Sequence, residues 1–123
     1  MSTAINAEAA PPQAGPYSHA VRSGNLVFLA GQGPFDPAGG PMPETFEEQA
    51  RLTLQNLAAV AEAAGGSLAD AVRVGVYLRE MDDFAAMNTV YADFFAAPYP
   101  ARTTIQSSLR ISIEVDAVLE LGS

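Results

Sequence analysis

The chain has 123 residues, 49% of them apolar, with 14 acidic and six basic side chains and a net charge of -8. That size and composition suit one domain with a packed core and argue against disorder. The charge repels phosphate backbones and anionic lipid, and no apolar run is long enough to span a bilayer, so neither a nucleic-acid nor a membrane partner is expected.

The opening stretch, residues 1–14, with Glu8-Ala9-Ala10-Pro11-Pro12 at its centre, reads as an extended lead-in. Ala20–Ser23 and Leu26–Ala30 read as two short strands around the turn residues Ser23-Gly24-Asn25. A glycine- and proline-rich loop follows, from Gly31 to Pro41. A helix is predicted from Phe46 to Ala64. Thr45 stands as its N-cap, Glu48 completes a capping box, and Phe46, Ala50, Leu54, Leu57, Ala61 and Ala64 make one apolar stripe. Gly65-Gly66 stops it, and Ser67–Ala71 adds a short turn.

Val72–Leu78 alternates, with Val72, Val74, Val76 and Leu78 on one face and Arg73, Gly75 and Tyr77 on the other. A second helix is predicted from Asp83 to Ala96, capped by Asp82 or Asp83, burying Phe84, Met87, Val90, Tyr91, Phe94 and Phe95. Pro98 and Pro100 end it. Thr103–Leu109 and Ile111–Leu121 close the chain as strands. The order β-β-α-β-α-β-β implies an α+β fold, one mixed or antiparallel sheet with two helices on one face. The second sheet face, with Tyr77, Glu114, Asp116 and Val118, is left bare. Self-association would cover it, and a solvated polar face is the plain alternative.

Cysteine is absent, so disulfides and thiol nucleophiles are excluded, which fits a cytoplasmic location. His19 is the single histidine and makes no metal site by itself. No basic segment followed by an apolar stretch opens the sequence, so no signal peptide is expected.

Arg102, at a strand entrance behind Pro100, offers a planar fork for a carboxylate, or is a surface arginine in an ion pair. Glu114 is acidic on the polar side of an apolar strand, suited to a general base or simply turned outward. The two flank one predicted hairpin, whose adjacent antiparallel strands would bring them together. Tyr17 follows a Gly-Pro turn, and Asn88 sits mid-helix among apolar residues, where a buried amide needs partners.

Five short motifs, in order and in spacing, resemble the Rid/YjgF family. They are Gly15-Pro16-Tyr17-Ser18, Gly31-Gln32 with Pro34, Asp83-Phe84 with Asn88, Tyr91 and Phe94-Phe95, Pro100-Ala101-Arg102, and Ile113-Glu114-Val115. The resemblance runs from Gly15 to Leu121. It implies a chorismate-mutase-like fold assembled as a homotrimer, a central barrel of sheets with helices outside and pockets at the subunit clefts. It implies hydrolysis of reactive imino and enamino acids such as 2-aminoacrylate to 2-oxo acids and ammonia, without metal or organic cofactor.

By resemblance, Arg102 binds the substrate carboxylate and Glu114 places the attacking water. Tyr17, Asn88, Thr104 and Gly31 complete the substrate-binding set. Thr104 stands where many members carry cysteine, and Ala30 where serine is common. The turn between Arg102 and Glu114 is short, and Gly33 replaces a bulkier residue, which leaves room for a divergent substrate. A carboxylate-binding or chaperone-like trimer without turnover is a second expectation, and recruitment to another reaction in specialised metabolism a third. The acidic surface makes the ribonuclease activity ascribed to some relatives the weakest.

Overall fold

In the computed structural model, which describes residues 2–122, the first helix begins where its cap residues stand. Thr45 Oγ1 accepts from the Glu48 amide at 3.2 Å and donates to the Glu48 carboxylate at 2.8 Å. Helix α1 runs Phe46–Ala63 and buries Ala50, Leu54, Leu57 and Ala61 of the predicted stripe, with Val60 added; Phe46 is only partly buried, and Ala64 is the C-cap. Its end is a Schellman turn. The Gly66 amide donates to Ala61 and the Gly65 amide to Glu62, with Gly65 at φ 90°.

Strands β1 (Ser2–Ile5), β2 (Ala20–Ser23), β3 (Leu26–Gln32), β4 (Ala71–Leu78), β5 (Ala101–Gln106) and β6 (Ile113–Glu120) form one sheet in the order β1-β2-β3-β6-β4-β5. Only β4 and β5 pair in parallel, joined over helix α2 (Phe84–Tyr91). The α+β class and the single sheet with two helices are as expected. Val27, Val74, Val76, Leu78, Val115 and Leu119 face the helices and are fully buried. Among the described residues, no helix is long and apolar enough to cross a membrane.

Four expectations are corrected. Residues 2–5 of the lead-in are a sixth strand, paired antiparallel with β2. With only Ile5 even partly buried, this strand carries no alternation to read. Val72 is 43% exposed, because β4 shifts register against β6 between Ala71 and Arg73. Helix α2 ends at Tyr91, and Phe84 in its first turn is 39% exposed. Asp83 stands at its N-cap but makes no side-chain cap bond, and a short 3-10 turn, Met81–Asp83, precedes it. Last, β5 and β6 are not a hairpin: β6 inserts between β3 and β4, leaving β4 between them. Met1 and Ser123, the ends of the predicted domain, lie outside the described residues.

The lead-in is held by His19. Its Nδ1 accepts from the Ala7 amide at 2.8 Å, so Nε2 carries the proton and donates to the Pro11 carbonyl at 2.7 Å. Ala7 and Ala10 are thereby drawn into the core. His19→Ala leaves both backbone groups unpaired. The expected cost is about 1–3 kcal/mol, read as a lower urea midpoint.

Candidate active site

Two crevices gather the predicted residues, on opposite faces of the sheet. Glu114 pairs in register with Tyr77 on β4, so its side chain projects from the face that no helix covers. It lies over Gly31 at the β3 bulge, where a Cβ would sit 2.5 Å from Glu114 Oε2. Only glycine lets the carboxylate rest there. The pocket around it has a volume of about 500 Å³ and is walled by Tyr17, Phe35, Leu109 and Ile111. The Tyr17 hydroxyl accepts from the Ala14 amide at 3.2 Å, which fixes the ring at the pocket wall.

The Glu114 carboxylate is part-buried and has no hydrogen-bond partner among the described residues. Burial raises its pKa above the ordinary glutamate value, and the Asp116 charge raises it further. The folded chain thus holds this proton more tightly than the unfolded one. Its contribution to stability is full below the ordinary carboxylate pKa and is lost as pH rises through the raised value. Asp116 itself accepts from the Tyr77 hydroxyl at 3.0 Å, and Arg73 stands 4.0 Å from its other oxygen.

Arg102 pairs in register with the buried Val74, so it projects to the helix side. Its guanidinium lies 4.7 Å from the centroid of the Tyr91 ring and 5.7 Å from that of Phe84, with Nη1 3.8 Å from Met87 Sδ. Among the described residues it makes no ion pair, while Arg51 and Arg73 each stand near an aspartate. The aromatic contacts position the guanidinium and leave N–H donors without an ion-pair partner, the arrangement that suits a carboxylate ligand. The crevice, of about 300 Å³, is also lined by Asn88, Tyr91, Tyr99 and Pro100.

Asn88 and Tyr91 stand one helical turn apart and so share the face of α2 that looks on Arg102. Tyr91 stacks on Phe95 with centroids 4.3 Å apart, and its buried hydroxyl lacks a partner. Burial raises the Tyr91 pKa, while the Arg102 charge opposes the rise. The buried Thr104 hydroxyl, two residues beyond Arg102, likewise has no partner.

One chain therefore brings Tyr17, Gly31 and Glu114 together in one crevice and Asn88 and Arg102 in another, with Thr104 beside the latter on the same strand. It does not bring Arg102 to Glu114. The hairpin argument for their meeting fails, because the intervening strand β4 and the opposite faces separate them. Tyr91, expected only as core, is also the ring against which the guanidinium sits. Its three-residue spacing from Asn88 was the available signal. Phe35 and Ile111, in irregular segments, carried none.

The model of the Endoribonuclease L-PSP family matches residues 7–120. A RutC family protein of Pyrococcus horikoshii is 43% identical over 122 residues, covering 96% of this chain and 97% of that one. TdcF of Escherichia coli, provisionally named a reactive intermediate deaminase, is 36% identical over 96% of both chains. The crystal structure of Escherichia coli TdcF with bound serine superposes with a TM-score of 0.92 at 36% identity, over 98% of this chain and 99% of that one. RidA from an Antarctic Psychrobacter superposes with a TM-score of 0.92 at 38% identity, over 97% and 99%. With its sequence matched almost throughout and its fold shared with these relatives, the chain belongs to the Endoribonuclease L-PSP family, the YjgF/Rid group.

Proposed function

We propose that this protein is a reactive-intermediate deaminase that hydrolyses 2-imino acids, working as a homotrimer whose sites form between neighbouring copies. The observation that carries the proposal is the Arg102 guanidinium, without an ion-pair partner among the described residues and set against the Tyr91 ring at the edge of a crevice. TdcF, with its deaminase name and its bound serine, a small carboxylate, supports the same chemistry.

The uncovered sheet face favours assembly. Phe28 and Ile105 on it are 47% and 45% exposed, with Val21 and Val118 beside them, a burden of apolar surface that a closed symmetric contact removes. Arg102 lies on β5, an edge strand of the sheet, so in such a ring we take the edge of one copy to carry its arginine to the Glu114 crevice of the next. A net charge of -8 opposes RNA, despite the family's description.

In this site Arg102 grips the carboxylate of 2-iminopropanoate, the tautomer of 2-aminoacrylate, with two N–H donors. Glu114 takes a proton from water as its oxygen bonds to C2, and the imine nitrogen gains a proton. The resulting carbinolamine loses ammonia as the C–N bond breaks and its hydroxyl gives up a proton. The products are pyruvate and ammonia, and one water is consumed. A carboxylate with a raised pKa is a stronger base towards water than an ordinary one, which suits the first step.

The test generates 2-aminoacrylate in situ with a serine dehydratase and follows its decay. Faster release of pyruvate and ammonia with the protein is the expected result, and an unchanged rate refutes the proposal. The pH profile adds a second check. With Glu114 as base, kcat/KM rises with pH through a midpoint above the ordinary glutamate range. Asp116→Asn removes a charge that raises that midpoint, so the acid limb should move to lower pH.

A further inference from the structure

The walls beside Glu114 are clamped from beneath by helix α1. The buried Asn56 amide donates to the carbonyls of Gly33 and Phe35 at 3.0 and 2.8 Å, which sets the path of that loop. Ser112 donates to Gln49 of the same helix, which ties down the segment that carries Leu109 and Ile111. Between the clamps, Gly33 leaves a gap that its neighbours fill. A Cβ there would lie 2.7 Å from Ile111 Cδ1 and 2.9 Å from Phe35 Cε2. The two side chains close over the glycine and join Tyr17 and Leu109 as an apolar wall of the Glu114 pocket. Phe35 remains 47% exposed, an aromatic ring held at the pocket by its tethered backbone.

We infer that Phe35 and Ile111, seated over Gly33, form a side-chain subsite that selects imino acids with branched aliphatic or aromatic side chains over the three-carbon imine. The subsite has this role only if the site hydrolyses imino acids as proposed above. An imino-acid C2 bears a carboxylate, a nitrogen and a side chain. With the carboxylate on Arg102 of one copy and the water on Glu114 of the next, the side chain runs along the wall beside Glu114. A pocket of about 500 Å³ is far larger than a methyl group. A larger apolar group removes Phe35, Ile111 and Leu109 from water, and each added carbon strengthens binding several-fold. Arg110 also lines the pocket, so a second carboxylate is the competing chemistry.

The experiment generates imines from alanine, leucine, phenylalanine and glutamate with amino-acid oxidases and compares their kcat/KM. The corresponding 2-oxo acids are titrated by calorimetry, which reads the subsite without turnover. The leucine and phenylalanine imines should be favoured over the alanine imine by about tenfold or more, with a parallel order of affinities. That ratio should fall towards unity in Phe35→Ala and Ile111→Ala. It should also shift in Gly33→Ala, whose methyl group displaces both side chains. Equal kcat/KM for all side chains, a preference for the glutamate imine, or a ratio unmoved by all three substitutions overturns the subsite and leaves the deaminase proposal standing. Failure to hydrolyse any of the four imines overturns both.

Discussion

Arg102→Ala is expected to lower kcat/KM for 2-iminopropanoate by about 30-fold or more, the equivalent of about 2 kcal/mol for a lost charged, two-pronged contact. The loss should be large because, among the described residues lining that crevice, no other is cationic; Asn88, Tyr91 and Tyr99 are neutral. Arg102→Lys keeps the charge but loses the fork and the guanidinium's contact with the Tyr91 ring. It should fall between wild type and alanine, mainly through KM. Stability should change little in either variant, since the guanidinium makes no ion pair among the described residues that its removal would strand. Steady-state kinetics beside thermal melts checks this. An Arg102→Ala enzyme with unchanged kcat/KM would remove the carboxylate-binding role.

Glu114→Gln should reduce kcat by about 10²–10⁴-fold, the usual share of a general base. The amide keeps the shape over Gly31 and loses the proton acceptor. Its thermal stability should match or exceed wild type near neutral pH, because ionised Glu114 is held at a cost that its raised pKa records. This pattern of lost turnover with kept stability separates a functional carboxylate from a structural one.

The two variants also test where the site is built. Arg102→Ala and Glu114→Gln enzymes, unfolded together and reassembled as an equal mixture, should regain about one quarter of wild-type activity. In a closed ring of random composition, one interface in four joins an intact arginine to an intact glutamate. A site within one chain would stay dead in the mixture.

The α1 cap, its apolar stripe and its double-glycine stop are local signals between residues a few positions apart, so they are legible without a fold. The same holds for the alternation of β6, which marked Glu114 as acidic against an apolar strand. Five short motifs carried Arg102, Asn88 and Tyr17, with the reason for Arg102 supplied by the guanidinium's own chemistry.

The partners of each strand were decided at long range. Gln106 and Ile113 are near enough in sequence to suggest a hairpin, yet β6 pairs with β3 and β4, and β5 pairs only with β4. Alternation says which residues share a face but not which strand lies beside which. Packing of the helices against the sheet chooses that order. The bulge that turns Val72 outward, the edge pairing of β1, and the closing of Phe35 and Ile111 over Gly33 come from the same source. So does the placement of Arg102 and Glu114 on opposite faces. Residue types and spacing determined the chemistry available to this protein. Strand order, a non-local outcome of burial, decided that one copy holds Arg102 and Glu114 apart.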